Sequence, residues 1–104
     1  MFPEDITASC KFHNNSGVAY RIGKLVNVAF EDTITSVATN AEVIPKLPIP
    51  KTNGQVVNLG MANGQTLTCI IQDTGLGYAR VLQWHPASNV APSRIDSSFS
   101  YVIV

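Results

Sequence analysis

Thr52-Asn53-Gly54-Gln55-Val56-Val57-Asn58-Leu59-Gly60-Met61 runs directly into Ala62-Asn63-Gly64-Gln65-Thr66-Leu67-Thr68-Cys69-Ile70-Ile71, and this stretch decides the fold. Each half opens on Asn-Gly-Gln and continues as a segment rich in β-forming residues. Asn-Gly is the strongest short hairpin signal, because both residues accept positive φ at little steric cost. The pattern predicts Gln55–Met61 and Gln65–Gln72 as antiparallel partners joined at Asn63-Gly64. Two copies do not make a repeat architecture, which carries at least about three units.

Working outward, Ile6–His13 alternates without a fault: Ile6, Ala8, Cys10 and Phe12 on one face, Thr7, Ser9, Lys11 and His13 on the other. That predicts a half-buried strand, followed by a turn at Asn14–Gly17. Val18, Tyr20 and Ile22 share a face, Gly23-Lys24 interrupts, and Val26, Val28 and Phe30 resume. This is either one bulged run or two strands with a turn at Gly23-Lys24. Thr33–Thr39 and Ala41–Ile44 are weaker strand candidates. Asp73–Gly77 reads as a second glycine turn, Tyr78–Trp84 as a strand, His85–Ser97 as a loop and Ser98–Val104 as a closing strand. No segment repeats apolar residues at helical spacing over two turns. The expectation is a single all-β domain over 1–104, a small antiparallel sandwich or barrel of about six to eight strands with little or no helix.

The 104 residues suffice for one domain with a modest core, and a hydrophobic share of 45 % excludes a disordered chain. Seven basic residues cancel seven acidic ones, which excludes the basic field of a nucleic-acid or anionic-membrane binder. Only 13 % of residues are charged, so the expected surface is one that other protein covers. No run approaches the roughly 18 apolar residues of a membrane span. Met1–Asp5 lacks the basic start and apolar run of a signal peptide, so synthesis in a host cytoplasm without a cleaved signal is expected.

Residues 44–52 stand apart. Pro45, Pro48 and Pro50 remove backbone donors, so this stretch cannot be a central strand and should lie extended along a surface. It reads as a loop or sheet-edge guard, as a PxxP ligand for an aromatic groove, or as an arm that docks Leu47 and Ile49 on a neighbouring subunit. Phe99–Val104 carries apolar residues on both faces: Phe99, Tyr101 and Ile103 on one, Val102 and Val104 on the other. A strand apolar on both faces is covered on both. A neighbouring copy is the simplest second cover, and Leu47, Ile49, Tyr101, Val102, Ile103 and Val104 are the expected interface of a homo-oligomer.

The chemistry-bearing residues form no catalytic set. Cys10 and Cys69 fall on apolar strand phases and read as free buried thiols, with a disulfide as the alternative. A Cys2His2 metal site from Cys10, His13, Cys69 and His85 is disfavoured, because alternation puts Cys10 and His13 on opposite faces. Gly75-Leu76-Gly77 lacks the remainder of a phosphate-binding fingerprint, and there is no G-x-S-x-G elbow. No enzyme, cofactor or metal is expected. Trp84, Tyr78 and Tyr20 supply a sugar-stacking platform on the rival reading, a small lectin-like carbohydrate-binding domain.

Scattered motifs resemble the head-decoration proteins of lambda-like tailed phages: Lys24-Leu25-Val26 early, a β-rich middle, Val81-Leu82 with Trp84 and Pro86 later, and a closing Ile103-Val104 strand. The Pro-rich stretch has no counterpart there. The resemblance implies a non-enzymatic virion subunit, a capsid cement or a vertex or tail component, that clamps shell or other virion proteins. Neither nucleic acid nor membrane is an expected partner.

Overall fold

A computed structural model describes residues 2–104. Its strands are β1 (Glu4–Asp5), β2 (Gly17–Ile22), β3 (Leu25–Thr33), β4 (Glu42–Leu47), β5 (Gln55–Gly60), β6 (Thr66–Asp73), β7 (Ala79–Gln83) and β8 (Arg94–Val102). They form two antiparallel four-stranded sheets, ordered β1-β2-β3-β8 and β4-β7-β6-β5. This is the all-β sandwich that the sequence predicts. Among the described residues there is no α-helix, only two 3₁₀ turns at Thr7–Ser9 and His13–Asn15.

The two sheets bury their facing sides. Val26, Val28 and Phe30 of β3, with Ile95 and Tyr101 of β8, meet Val43, Ile44 and Leu47 of β4 and Leu59, Leu67, Ile71 and Val81 of β5–β7. Phe30 meets Phe99 edge to face, and Phe99 stacks on Tyr101 at 6.1 Å between centroids. Such contacts add to plain burial.

The β5–β6 hairpin turns through Met61–Gln65, which contains Asn63-Gly64 as expected, but only Gly64 of the pair takes positive φ. Gly64 has φ +84°, and the Gln65 amide donates to Asn63 Oδ1 at 3.0 Å. Gly23-Lys24 makes the tight turn between two separate strands, with Ile22 directly opposite Leu25. β8 starts at Arg94, inside the stretch read as loop, because Arg94–Ser97 pair with Phe30–Thr33 of a long β3. The Thr33–Thr39 expectation fails beyond Thr33, since no strand covers residues 34–39.

Ile6–His13 is not the strand its alternation predicts. Asp5 Oδ1 accepts the Thr7 amide at 2.9 Å, and the chain turns into 3₁₀ geometry, with Ser9 N–H on Ile6 O and Cys10 N–H on Thr7 O. Short-range side-chain bonding competes with the ladder and wins. The Thr7 hydroxyl then stands in for a paired strand: it accepts the Ala19 amide at 2.9 Å and donates to the Ala19 carbonyl at 3.3 Å. Ile6 and Phe12 are buried, while Ala8 and Ser9 are exposed.

The seams of the sandwich are stitched. Lys11 and Lys46 exchange backbone hydrogen bonds at 3.0 and 3.3 Å, tying the N-terminal segment to edge strand β4. Met61 bridges Ile95, and Ala62 N–H donates to Arg94 O at 2.8 Å, tying β5 to β8. The Pro-rich segment serves the chain's own fold. Pro45 lies in β4, at the edge of its sheet, within the register shift between Ile44 and Leu47. Pro50 bridges Ile103, Lys51 N–H donates to Val102 O at 2.8 Å, and Val104 N–H donates to Ile49 O at 3.3 Å.

These contacts correct the expected interface. Leu47 and Tyr101 are 1 % and 2 % exposed, sealed by the opposing sheet, and need no neighbour to cover them. Ile49 and Ile103 are half-buried in the pairing just described. Val102 and Val104 remain exposed.

Candidate interaction face

The outer side of the first sheet is built by register. Ile22, Leu25 and Val102 stand in one cross-strand row, Tyr20, Asn27 and Ser100 in the next, and Val18, Ala29 and Ser98 in a third. None of these nine side chains is charged. Val18, Tyr20, Ile22, Leu25 and Val102 are each between 37 % and 44 % exposed. Exposed apolar residues scattered singly need no explanation, but a contiguous patch of them marks a contact surface. Phe2, 94 % exposed, extends the patch and lines a shallow depression with Pro3, Tyr20 and Asn27. Ser100 Oγ and Asn27 Oδ1 are hydrogen-bonded at its centre.

The patch is bounded by charge at both ends. A fourth row places Glu31 directly opposite Asp96, two like charges across β3 and β8. Ion pairs among the described residues are Arg21–Glu4, His13–Asp32 and His13–Glu42, and neither Glu31 nor Asp96 has a basic partner. Like charges in direct register are destabilising. At the opposite end lie Lys24, in the turn, and Lys51, beside Val102.

The other outer face differs. Ile70 and Leu82 are paired across β6 and β7 and buried, flanked by Gln72 with Arg80 and by Asn58 with Thr68, two hydrogen-bonded polar pairs.

The best-organised polar cluster joins the two sheets. His13 Nδ1 lies 3.2 Å from Asp32 Oδ2 on β3, and its Nε2 lies 3.5 Å from Glu42 Oε1 on β4. The imidazole thus sits between a carboxylate of each sheet, hydrogen-bonded to Asp32 and facing Glu42. Beside it the buried Gln83 side chain donates to Ser36 O at 3.0 Å and accepts the Ala38 amide at 3.1 Å. The arrangement is an inter-sheet tie.

The remaining sequence candidates are dispersed. Tyr78 and Trp84 flank the two ends of β7, roughly 20 Å apart along an extended chain. Tyr20 lies on the other sheet. Trp84 packs on His85 at 4.4 Å and Lys46 lies over Tyr78, so the three aromatics form no common platform. Cys10 and Cys69 are free thiols. Burial pushes Cys69 up to about 12 and also raises Cys10, which makes both poor nucleophiles. In the Asp73–Gly77 turn, Asp73 Oδ1 accepts the Gly75 amide at 2.8 Å and Thr74 Oγ1 accepts the Leu76 amide at 3.2 Å. Those amides are therefore consumed within the turn. Among the described residues no group of three or more His, Cys, Asp or Glu is placed to hold a metal ion, and no helix is long and apolar enough to cross a membrane.

Sequence reasoning places Val18, Tyr20 and Ile22 on one face but does not reveal that this face points to solvent. The available signal is the two-residue turn at Gly23-Lys24, which sets Ile22 on the same side as Leu25 and opposite to Val26.

Compared with protein-family models, with curated proteins and with solved structures, the chain matches none.

Proposed function

We propose that the chain is a non-enzymatic structural subunit of a virion, a capsid-decoration protein or a related vertex or tail component, that works through protein–protein contacts. The observation that carries this reading is the uncharged row structure of the first sheet's outer face, with five large apolar side chains more than a third exposed. An apolar core within a polar rim is the anatomy of a protein contact surface. The low charge of the whole chain and the resemblance of its scattered motifs to phage head-decoration proteins support the virion setting. On this reading the chain associates with its own copies and with a shell or other virion protein.

The test is particle association. In gradient-purified particles from cells that produce them, the chain is expected by mass spectrometry in a fixed ratio to the shell protein. A Val18→Asp, Leu25→Asp double variant, folded by circular dichroism, is expected to stay in the soluble fraction. Wild-type chain found only outside the particle fractions overturns the reading.

A further inference from the structure

The outer face is self-complementary. Along β3, Asn27 marks its centre; Glu31 lies four residues beyond, and Lys24 three residues before. Two copies can stack these faces with a two-fold axis in the plane between them, and two directions of that axis are open. An axis along the strands sets each fourth row against its own copy, gathering two Glu31 and two Asp96 side chains. An axis across the strands, through the Tyr20–Asn27–Ser100 row, does the opposite. The uncharged rows then cover each other, the first row over the third. Glu31 falls over the Gly23-Lys24 turn of the second copy, and Asp96 over the end of β8 flanked by Lys51.

We infer that the partner of this face is a second copy of the chain, packed antiparallel about the Tyr20–Asn27–Ser100 row and locked by Lys24 and Lys51 against Glu31 and Asp96 of the other copy. The inference rests on the reading of this face as a protein contact surface. The like-charge pair is its second support: Glu31 and Asp96 oppose each other within one copy, Arg94 lies one row beyond without forming an ion pair to either, and cations from another copy relieve the repulsion. They line an open depression of about 570 Å³ with Val18 and Ser98, with room for a lysine side chain. Asp5, opposite Tyr20 on β1, continues the axis row at its rim and comes nearest to its own copy, with its carboxylate engaged by the Thr7 amide.

The size of the face sets the strength. Eight residues at about 3.3 Å by the three strands β2, β3 and β8 at about 4.8 Å give roughly 380 Å² per copy. The pair buries roughly 760 Å², below the standard size of specific interfaces, so a weak dimer with a dissociation constant of about 100 μM to 1 mM is expected.

Sedimentation of the full chain between about 10 μM and 1 mM, at low salt, tests this. Wild type is expected to shift from monomer to dimer across that range. Lys24→Glu with Lys51→Glu, and separately Glu31→Lys with Asp96→Lys, are each expected to weaken association at least about tenfold. An equimolar mixture of the two variants is expected to recover it to within about threefold of wild type, because reversed charges again face opposite ones. Thermal melts matching wild type establish that both variants are folded. A wild type that stays monomeric to about 1 mM overturns the inference, as does a dimer indifferent to both reversals or a mixture that does not associate. A monomeric chain still found in particles, and lost from them on Val18→Asp, Leu25→Asp substitution, overturns the dimer alone and leaves the virion role standing.

Discussion

The hydroxyl of Tyr101 donates a hydrogen bond to the carbonyl of Pro48 at 2.8 Å. A segment with prolines at 45, 48 and 50 is short of donors but keeps its acceptors, and a buried tyrosine supplies the missing donor from the opposite sheet. Burial of the phenol accordingly raises its pKa well above the ordinary tyrosine value. Tyr101→Phe keeps the ring stack and loses the bond, so a loss of about 1 kcal/mol is expected from urea midpoints, whereas Tyr101→Ala costs about 3–5 kcal/mol. Equal effects from the two substitutions would show that the hydroxyl, not the ring, carries the contact.

Gly64 sits at φ +84° with open space around it, so only its backbone matters. Gly64→Val is expected to destabilise by roughly 1 kcal/mol or more, since a branched Cβ resists that conformation. Gly60 has equally open surroundings without positive φ, and Gly60→Ala should leave the melting temperature nearly unchanged. With open space at both sites, the contrast isolates the cost of the positive φ.

Gln83 is 1 % exposed and serves the 36–38 loop through both ends of its amide. Gln83→Leu preserves bulk but orphans the Ser36 carbonyl and the Ala38 amide, with an expected cost of about 1–3 kcal/mol. Hydrogen exchange at Ala38 is the sharper readout, because its amide should lose protection before the core does.

Alkaline solution should destabilise the domain through its buried thiol. Cys69 titrates at about 12 in the fold against a value of 9.0 in the open chain, so the unfolded state loses its proton first. Stability contributed by the neutral thiol is intact below pH 9 and falls between pH 9 and 12, on the order of 1 kcal/mol per pH unit. Cys69→Ala removes that slope while lowering stability at neutral pH through the cavity it leaves. Chemical denaturation at pH 7, 9 and 10.5 measures both effects, and an unchanged slope in the variant would assign the alkaline loss to Tyr101 or Cys10 instead.

Much of the fold is legible in the chain because its signals are local. Asn63-Gly64 and Gly23-Lys24 fix two hairpins, and Val26, Val28 and Phe30 declare the buried phase of β3. The facing of β2 is not local. Val18, Tyr20 and Ile22 look like its core side, but a two-residue turn makes them share a side with Leu25, Asn27 and Ala29. Burying the three would expose Val26, Val28 and Phe30, so β2 buries Ala19 and turns its larger residues outward. The outward facing of Val18, Tyr20 and Ile22 is therefore set by a competition between two strands that no single strand reveals. Ile6–His13 misleads for another reason: alternation records spacing, and it is silent about an aspartate able to capture an amide two residues on.

The hydroxyl of Thr7, set against both backbone groups of Ala19, has a consequence for how copies of this protein can accumulate. An open strand edge is a template that a newcomer extends and thereby renews, so growth along it never finishes. Here Thr7 occupies one edge, Lys11 another and Met61 with Ala62 a third. A flat face, by contrast, is used up by whatever covers it. A fold stitched at those positions leaves a newcomer fewer unpaired backbone groups to extend, so a cover laid on the face ends where growth along an edge would continue.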